Sequence, residues 1–563
     1  MSNGRKHRGA PRNKNELVLD TTQSPEPEPS ANRTLVIAAF LSTILYGAIA
    51  LSSWRFGYHT EGIDRPIIAV LSLFAANFGI YLIAVASVKR LRLDSQSTKI
   101  IVSAAVLFRV VMLFSLPIQE VDLYRYLWDG AVCAEGVSPF AFSPEAIQKA
   151  DAASIDDHRI ERLVRMLDRE PAMAEILDRV HFRELPTIYP PTSQAVFAAV
   201  SLTTPSHSPL LVRVFLIKTW LTGFDIATIF VVIGLLRLAK KPTQWCMIYA
   251  WCPLLMKEVS NSGHLDAIAV FLTTLAVYLL ALSLSSRRSL VTSLASFVLA
   301  LAVGAKLYPI VLVPIFAAFV FRRRGFRSMI VPAVIFTFTT AALLHPMKPI
   351  RNQGNDPSRG VVTFLQQWEM NDFLFLNIIE NIKPTYQRGP HEVAWFTVVP
   401  ENTRITMVDS LSSFLSTPPE RIPFLTTRAI TGTMFLCLAL TISWRFSARV
   451  TPVRDRVSRL VEGGFLTLAW FWLLCPTQNP WYWTWALSLL PFARSRVWLA
   501  IGGLTMLYYL RFWLTYHFPN TAVLDLPYTG AAFFDFVVTW IEFGPWFACL
   551  YICYLYRGKQ SIA

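Results

Sequence analysis

Residues 34–53 read TLVIAAFLSTILYGAIALSS, twenty positions without a charge. At about 1.5 Å per residue a helix of that length covers about 30 Å, the hydrocarbon thickness of a bilayer. Similar blocks recur near 66–88, 98–117, 209–237, 243–257, 266–284, 289–304, 306–321, 328–345, 427–445, 461–475, 481–492, 495–515 and 531–556, several of them short. The whole chain of 563 residues is 53% hydrophobic and 16% charged, whereas soluble domains sit near a quarter charged. Disorder, a disulfide scaffold and a soluble enzyme with one anchor are excluded. The expected fold is an all-α polytopic membrane protein, a bundle of about 12–14 transmembrane helices.

The net charge of +15 has to be located before it is given a partner. Loops after alternate blocks read KRLRLDSQSTK, RLAKKPTQ, SSRRS, FRRRGFR, RFSARVTPVRDRVSR, FARSR and YRGKQ, all basic. Basic loops face the cytoplasm, so the excess records orientation and nucleic acid is not needed to explain it. The polar, Pro-rich residues 1–32 are expected to be a disordered cytoplasmic tail. An N-terminal hairpin over 33–97 follows, then a core over 98–345 with a long outer loop at 118–208, a second outer loop at 346–426 and C-terminal spans over 427–563. The seven cysteines lie almost all in apolar blocks without metal-ligand spacing, so they read as small core residues.

The first outer loop contains DDHRIERLVRMLDREPAMAEILDRVHFREL, with Ile160, Leu163, Met166 and Leu167 at helical spacing and a break at Pro171. Two readings fit: amphipathic helices lying on the membrane surface, or a helix pair packed on the rest of the loop.

Ionisable residues beside apolar blocks cost free energy unless they pair, meet water or do work. Five places concentrate them. EVDLYRYLWDG, 120–130, sets Glu120, Asp122 and Asp129 among Tyr124, Arg125, Tyr126 and Trp128; an interface belt explains the aromatics but not three carboxylates and an arginine. IYPPTSQ, 188–194, carries Tyr189 and also reads as a rigid corner that starts a helix. KEVSNSGHLDA, 257–267, places Asn261, His264 and Asp266 in a short turn, where Gly or Asn alone would suffice. GAKLYP, 304–309, interrupts an apolar run with Lys306, either a snorkelling lysine or a break lining a cavity. CPTQNPWYWTW, 475–485, offers Asn479, Trp481 and Tyr482, with interface anchoring as its plain alternative. The basic-loop topology puts all five on the non-cytoplasmic side, so they are expected to form one site, and the apolar surroundings suit a substrate arriving through the bilayer.

DLYRYLWDG, GVSPF, YPP, NSGHLDA, GAKLYP and PWYWTW in this order resemble polyprenyl-phosphate-mannose-dependent mannosyltransferases, integral membrane glycosyltransferases of the GT-C fold. The resemblance runs from about 98 to 492 and leaves the hairpin outside. It implies that Asp122 holds the place of a catalytic base. Related sequences often carry two adjacent acidic residues there, so Glu120 stays beside it as the alternative. Where relatives carry a histidine before PWY this chain has Asn479, a hydrogen-bonding group.

A sugar on a polyprenyl phosphate already has a good leaving group, so such an enzyme needs a base for the acceptor hydroxyl and cations for the departing phosphate. The resemblance therefore implies an inverting hexosyltransferase, transferring mannose from a polyprenyl-phosphate donor to a glycan or glycolipid acceptor, in a bacterial-type plasma membrane. Arg125, Lys306 and His264 become candidates for the phosphate. Asp129 and Asp266 would orient those cations or bind sugar hydroxyls. Tyr124, Tyr126, Trp128, Tyr189, Asn261, Asn479, Trp481 and Tyr482 are the further substrate-binding candidates. No metal or nucleotide cofactor is expected. A GT-C transferase of another sugar, or one acting on protein, is the alternative within enzymes; a secondary transporter or lipid flippase is the alternative outside them.

Overall fold

The computed structural model describes residues 30–88, 95–150, 157–285, 289–349, 356–389, 392–448 and 452–560. The tail expected over 1–32 lies, up to residue 29, outside them, as do the basic stretches 89–94, 286–288 and 449–451. Ten helices among the described residues are long and apolar enough to cross a membrane, so the protein is an integral multi-pass helical bundle. The other expected crossings are shorter. Residues 243–261 are broken into four short turns, Ser289–Ala305 has 17 residues, Val313–Arg324 has 12, and Pro480–Leu487 has eight. Pro253, Pro309, Pro314 and Pro491 account for most of the breaks, because proline cannot donate to a continuing helix.

The helices that position the site are α1 (Ile67–Ser87), α2 (Ser95–Leu113), α3 (Asp122–Ala134), α4 (His158–Arg169), α5 (Pro171–Arg179), α6 (Leu210–Leu238), α7 (Asp266–Ser285), α8 (Ser289–Ala305), α9 (Val313–Arg324) and α10 (Val453–Leu474). Within the candidate spans α7 and α10 are the most enclosed, about two-thirds or more buried, whereas Arg327–Met347 is only 6% buried and stands at the periphery. The N-terminal hairpin packs onto this core: Tyr81 of α1 donates to the Ile248 carbonyl at 2.8 Å.

Two ends of the bundle are distinguished by contacts. At one, Lys306 just beyond α8 meets Asp266 at the start of α7. At the other, Arg324 closing α9 donates to the Ser283 carbonyl and the Thr292 hydroxyl, both at 2.9 Å. The polar clusters therefore sit at the end opposite the Arg322–Arg324 triplet.

The two readings of the first outer loop are decided by burial. Leu163, Met166, Met173, Ile176 and Leu177 of α4 and α5 are buried in the protein core. Asp157 caps α4 by accepting from the Arg159 amide. The apolar stripe is thus covered by protein, a packed helix pair and not a surface-lying one. The second outer loop is fastened by backbone: Met370 donates to the Pro476 carbonyl and accepts from Gln478, each at 2.9 Å.

Candidate active site

Asp122 opens α3, after a chain segment fixed from two sides. The Asn261 amide donates to Ser115 Oγ and the Leu116 carbonyl at 2.7 Å, and its oxygen accepts from the Ile118 amide. Lys218 of α6 donates to the carbonyls of Met112, Leu113 and Ser115, which closes the C-terminus of α2. Gln119 then takes a left-handed conformation, φ 57, held by Arg65 and Tyr516. That turn costs a β-carbon-bearing residue about 1 kcal/mol or more, and it delivers Glu120 and Asp122 to one place.

The two carboxyl groups have different surroundings. Burial pushes the Glu120 carboxyl well above the usual range, Lys257 pulls it back, and the charges of Asp122 and Glu258 add to the rise. Its Oε1 has no hydrogen-bond partner among the described residues. Asp122 is half-buried in the first turn of α3, where the helix dipole favours an acidic side chain. Its charge reaches Tyr126, Tyr189, Lys306 and Tyr482.

All five sequence clusters meet here. Tyr189 packs edge-on against Tyr126, ring centroids 4.9 Å apart. Ser193 donates to the Ala305 carbonyl at 2.8 Å. Lys306 contacts both oxygens of Asp266 at 2.7 and 2.8 Å and lies 4.2 Å above the Tyr482 ring. The Trp485 indole also donates to Asp266, a partner the sequence reading had not assigned. Lys306 keeps 18% of its side chain exposed while Asp266 keeps 1%, so the lysine presents charge to the site and the aspartate holds it from behind.

Several expected ligands make contacts within the fold. Arg125 pairs with Asp129 at 3.1 Å and donates to the Leu185 carbonyl at 2.7 Å, with Phe182's carbonyl at 3.5 Å. Asp129 also accepts from Gln194, and burial raises its carboxyl above the usual range despite Arg125. Tyr126 stacks on Phe197, Trp128 is buried beside it on α3, and Tyr124 accepts from Arg179 of α5. Asn261 is spent on the 115–118 segment and is 0% exposed, so it does not face a substrate. His264 is 1% exposed under the Trp481 ring, which stacks on it at 4.3 Å. Its Nε2 lies 3.3 Å from Glu258. Glu258 accepts from Tyr509, which accepts in turn from Lys257 at 2.9 Å. Asn479 precedes Pro480–Leu487 and is buried, its backbone carbonyl accepting from Trp472. The half-buried ionisable faces that remain are Asp122, Glu120, Lys306, Tyr189 and Tyr482.

The sequence reading assigned no site residue to the second outer loop, yet its WEMND stretch closes the site. A cleft beside Asp122 is lined by His181, Phe182 and Tyr189 from the first loop and by Gly360, Phe364 and Trp368 from the second. Density of charge in 369–372 was visible; the backbone pairing of Met370 with Thr477, which carries no side-chain signature, was not.

Burial, with the charges of Glu380 and Asp535, pushes the Glu369 carboxyl up to about 7; Lys383 opposes them, and Asp372 is a further neighbour. A raised carboxyl holds its proton in the folded state. Its stability contribution is therefore complete below the usual range near 4.3 and is lost as pH rises through about 7. Protease cleavage of the second loop should accordingly be faster at about pH 8 than at about pH 5.5, and Glu369→Gln should flatten the difference. Equal cleavage of the unmodified protein at both values would contradict this.

A family model described as alpha-(1->6)-mannopyranosyltransferase, N-terminal domain, matches residues 34–322. No curated protein and no solved structure gives a match. The match takes in the early hairpin, which the motif resemblance had left outside, and stops before the second loop and the 475–485 turn. It covers just over half of the chain, including the helices that bring Asp122, Asp266 and Lys306 together, and on that extent the chain belongs to the alpha-(1->6)-mannopyranosyltransferase family, a GT-C family of mannosyltransferases.

Proposed function

We propose that this mannosyltransferase takes mannose from a polyprenyl phosphate and transfers it to a lipid-linked or cell-envelope glycan on the non-cytoplasmic face of a plasma membrane. The observation that carries the reading is the gathering of the five polar clusters at one end of the bundle, where Asp122 is a half-buried carboxylate at a helix N-terminus and Lys306 a partly exposed cation that Asp266 and Trp485 hold in place. Asp122 takes the proton from the acceptor hydroxyl as that oxygen bonds to the anomeric carbon. The bond from that carbon to the phosphate oxygen breaks, and its electron pair leaves on the lipid phosphate facing Lys306. Glu120, whose carboxyl burial pushes upward, is the alternative base.

An apolar groove lined by Thr292, Leu299, Phe316, Val320 and Phe336 among others opens between the peripheral helix Arg327–Leu344 and the bundle, toward the Arg324 end and away from Asp122. The arginines at the Arg324 end and the basic loops of the sequence support a cytoplasmic placement of that end.

One displacement inverts the anomeric centre, so an α-(1->6) product requires a β-configured donor. The test is incubation of the purified, lipid-reconstituted protein with a panel of polyprenyl-phosphate sugars and oligomannoside acceptors, with linkage analysis of the product. The expected result is α-(1->6) mannoside from β-mannosyl donor only. Turnover of a nucleotide sugar, or of the α-configured lipid, would overturn it.

A further inference from the structure

Phe182 is the anomaly of the first outer loop. A bulky aromatic residue, 53% exposed, adopts φ 52, a conformation that costs any side chain beyond glycine free energy and is an outlier for one of this size. Strain and apolar exposure together are unfavourable for folding, and a buried ion pair maintains both. Arg125, fixed by Asp129, donates to the Leu185 carbonyl and lies at hydrogen-bonding limit from the Phe182 carbonyl.

The ring so displayed meets Trp368 of the second loop edge-on, centroids 4.7 Å apart, and Trp368 in turn packs on Phe364. These three rings form one wall of the cleft whose floor includes Asp122. Lys306, Tyr482 and Trp485 do not line this cleft. They form a separate wall, cation over aromatic rings, that Asp122 reaches electrostatically. Asp122 thus lines the aromatic cleft and lies within electrostatic reach of the cationic wall.

We infer that the aromatic cleft is the acceptor subsite and that its ligand is a saccharide, held by Trp368 and Phe182 against the apolar C–H face of a hexose ring while its hydroxyl edge turns to Asp122. This deepens the transferase reading and rests on it for the identity of the reaction. Aromatic walls with few placed polar groups suit a ring with one apolar face. The cationic groups a phosphate would find in this cleft are Arg125, which Asp129 and a carbonyl already occupy, and the exposed imidazole of His181, which carries charge only when protonated. Both loops contribute, so the subsite exists only when the second loop is fastened through Met370 and Thr477.

The test uses the full chain in lipid nanodiscs and measures binding of an α-(1->6) oligomannoside by calorimetry without donor, then the separate KM values for acceptor and polyprenyl-phosphate mannose. Trp368→Ala is expected to weaken oligomannoside binding about tenfold or more, as truncation of a buried aromatic anchor does, and Trp368→Phe to recover part of it. Phe182→Gly keeps the test independent of folding, because glycine accepts φ 52 without strain: thermal stability should hold or rise while acceptor KM rises and donor KM stays within about twofold. Unchanged oligomannoside affinity in Trp368→Ala and Phe182→Gly would overturn the assignment, as would an unmodified protein that does not bind oligomannoside. Binding without any turnover would leave the subsite standing and remove the donor reading instead. Preference of the cleft for a peptide over the saccharide would also overturn it.

Discussion

Asp122→Asn should lower mannose transfer by about 10²–10⁴-fold, the usual worth of a positioned general base, while the protein still inserts, purifies and binds donor normally. Asparagine is nearly isosteric and keeps an oxygen at the start of α3, so little beyond a helix-dipole contribution of about 0.3–1 kcal/mol is at stake for folding. The companion variant is Glu120→Gln. Burial pushes the Glu120 carboxyl toward its neutral form, and a neutral amide in its place should retain most of the activity. The reverse pattern, with Asp122→Asn active and Glu120→Gln dead, would transfer the base to Glu120. Both reactions can be followed by release of polyprenyl phosphate.

Lys306→Ala should weaken donor binding, but it removes a second thing as well. Asp266 is 1% exposed and would keep only the Trp485 indole as a partner. Breaking a buried pair from one side costs about 3–5 kcal/mol because the remaining charge is stranded. A loss of activity in that variant alone therefore does not distinguish a missing phosphate ligand from a loosened α7. The double variant Lys306→Met with Asp266→Asn separates them. Both charges go, the asparagine oxygen still accepts from Trp485, and thermal stability should recover most of what the single variant lost. Donor KM should stay high in both. Recovery of donor affinity together with stability would show that Lys306 serves the fold and not the phosphate.

Class of fold was legible because a charge-free block of twenty residues admits one secondary structure in lipid. The four crossings that proved short or broken all contain or adjoin proline, or fall below about 18 residues; hydropathy reports apolar length and is blind to a π-helical turn such as Met256–Asn261. Gathering of the five polar clusters was legible from charge alternation, since orientation alone put them at one end. Their division of labour was not. Arg125 and Lys306 both read in sequence as cations for a phosphate, yet Asp129 and two carbonyls absorb the first, while the second remains open. The same holds for His264, whose burial beneath Trp481 depends on a contact across more than two hundred residues. Spacing within a motif shows which groups are near; it does not show which of them face outward.

Gly360 fixes something neither loop could fix alone. A β-carbon there would meet the Pro186 carbonyl oxygen at 2.4 Å and the Ile188 side chain at 3.1 Å, and the first of these is backbone that cannot swing aside. The gap between the two outer loops is therefore gauged by a missing methyl group. Any other residue at 360 has to act as a wedge, lifting Phe364 and Trp368 away from Phe182. Substitution at this single position can therefore only widen the aperture beside Asp122.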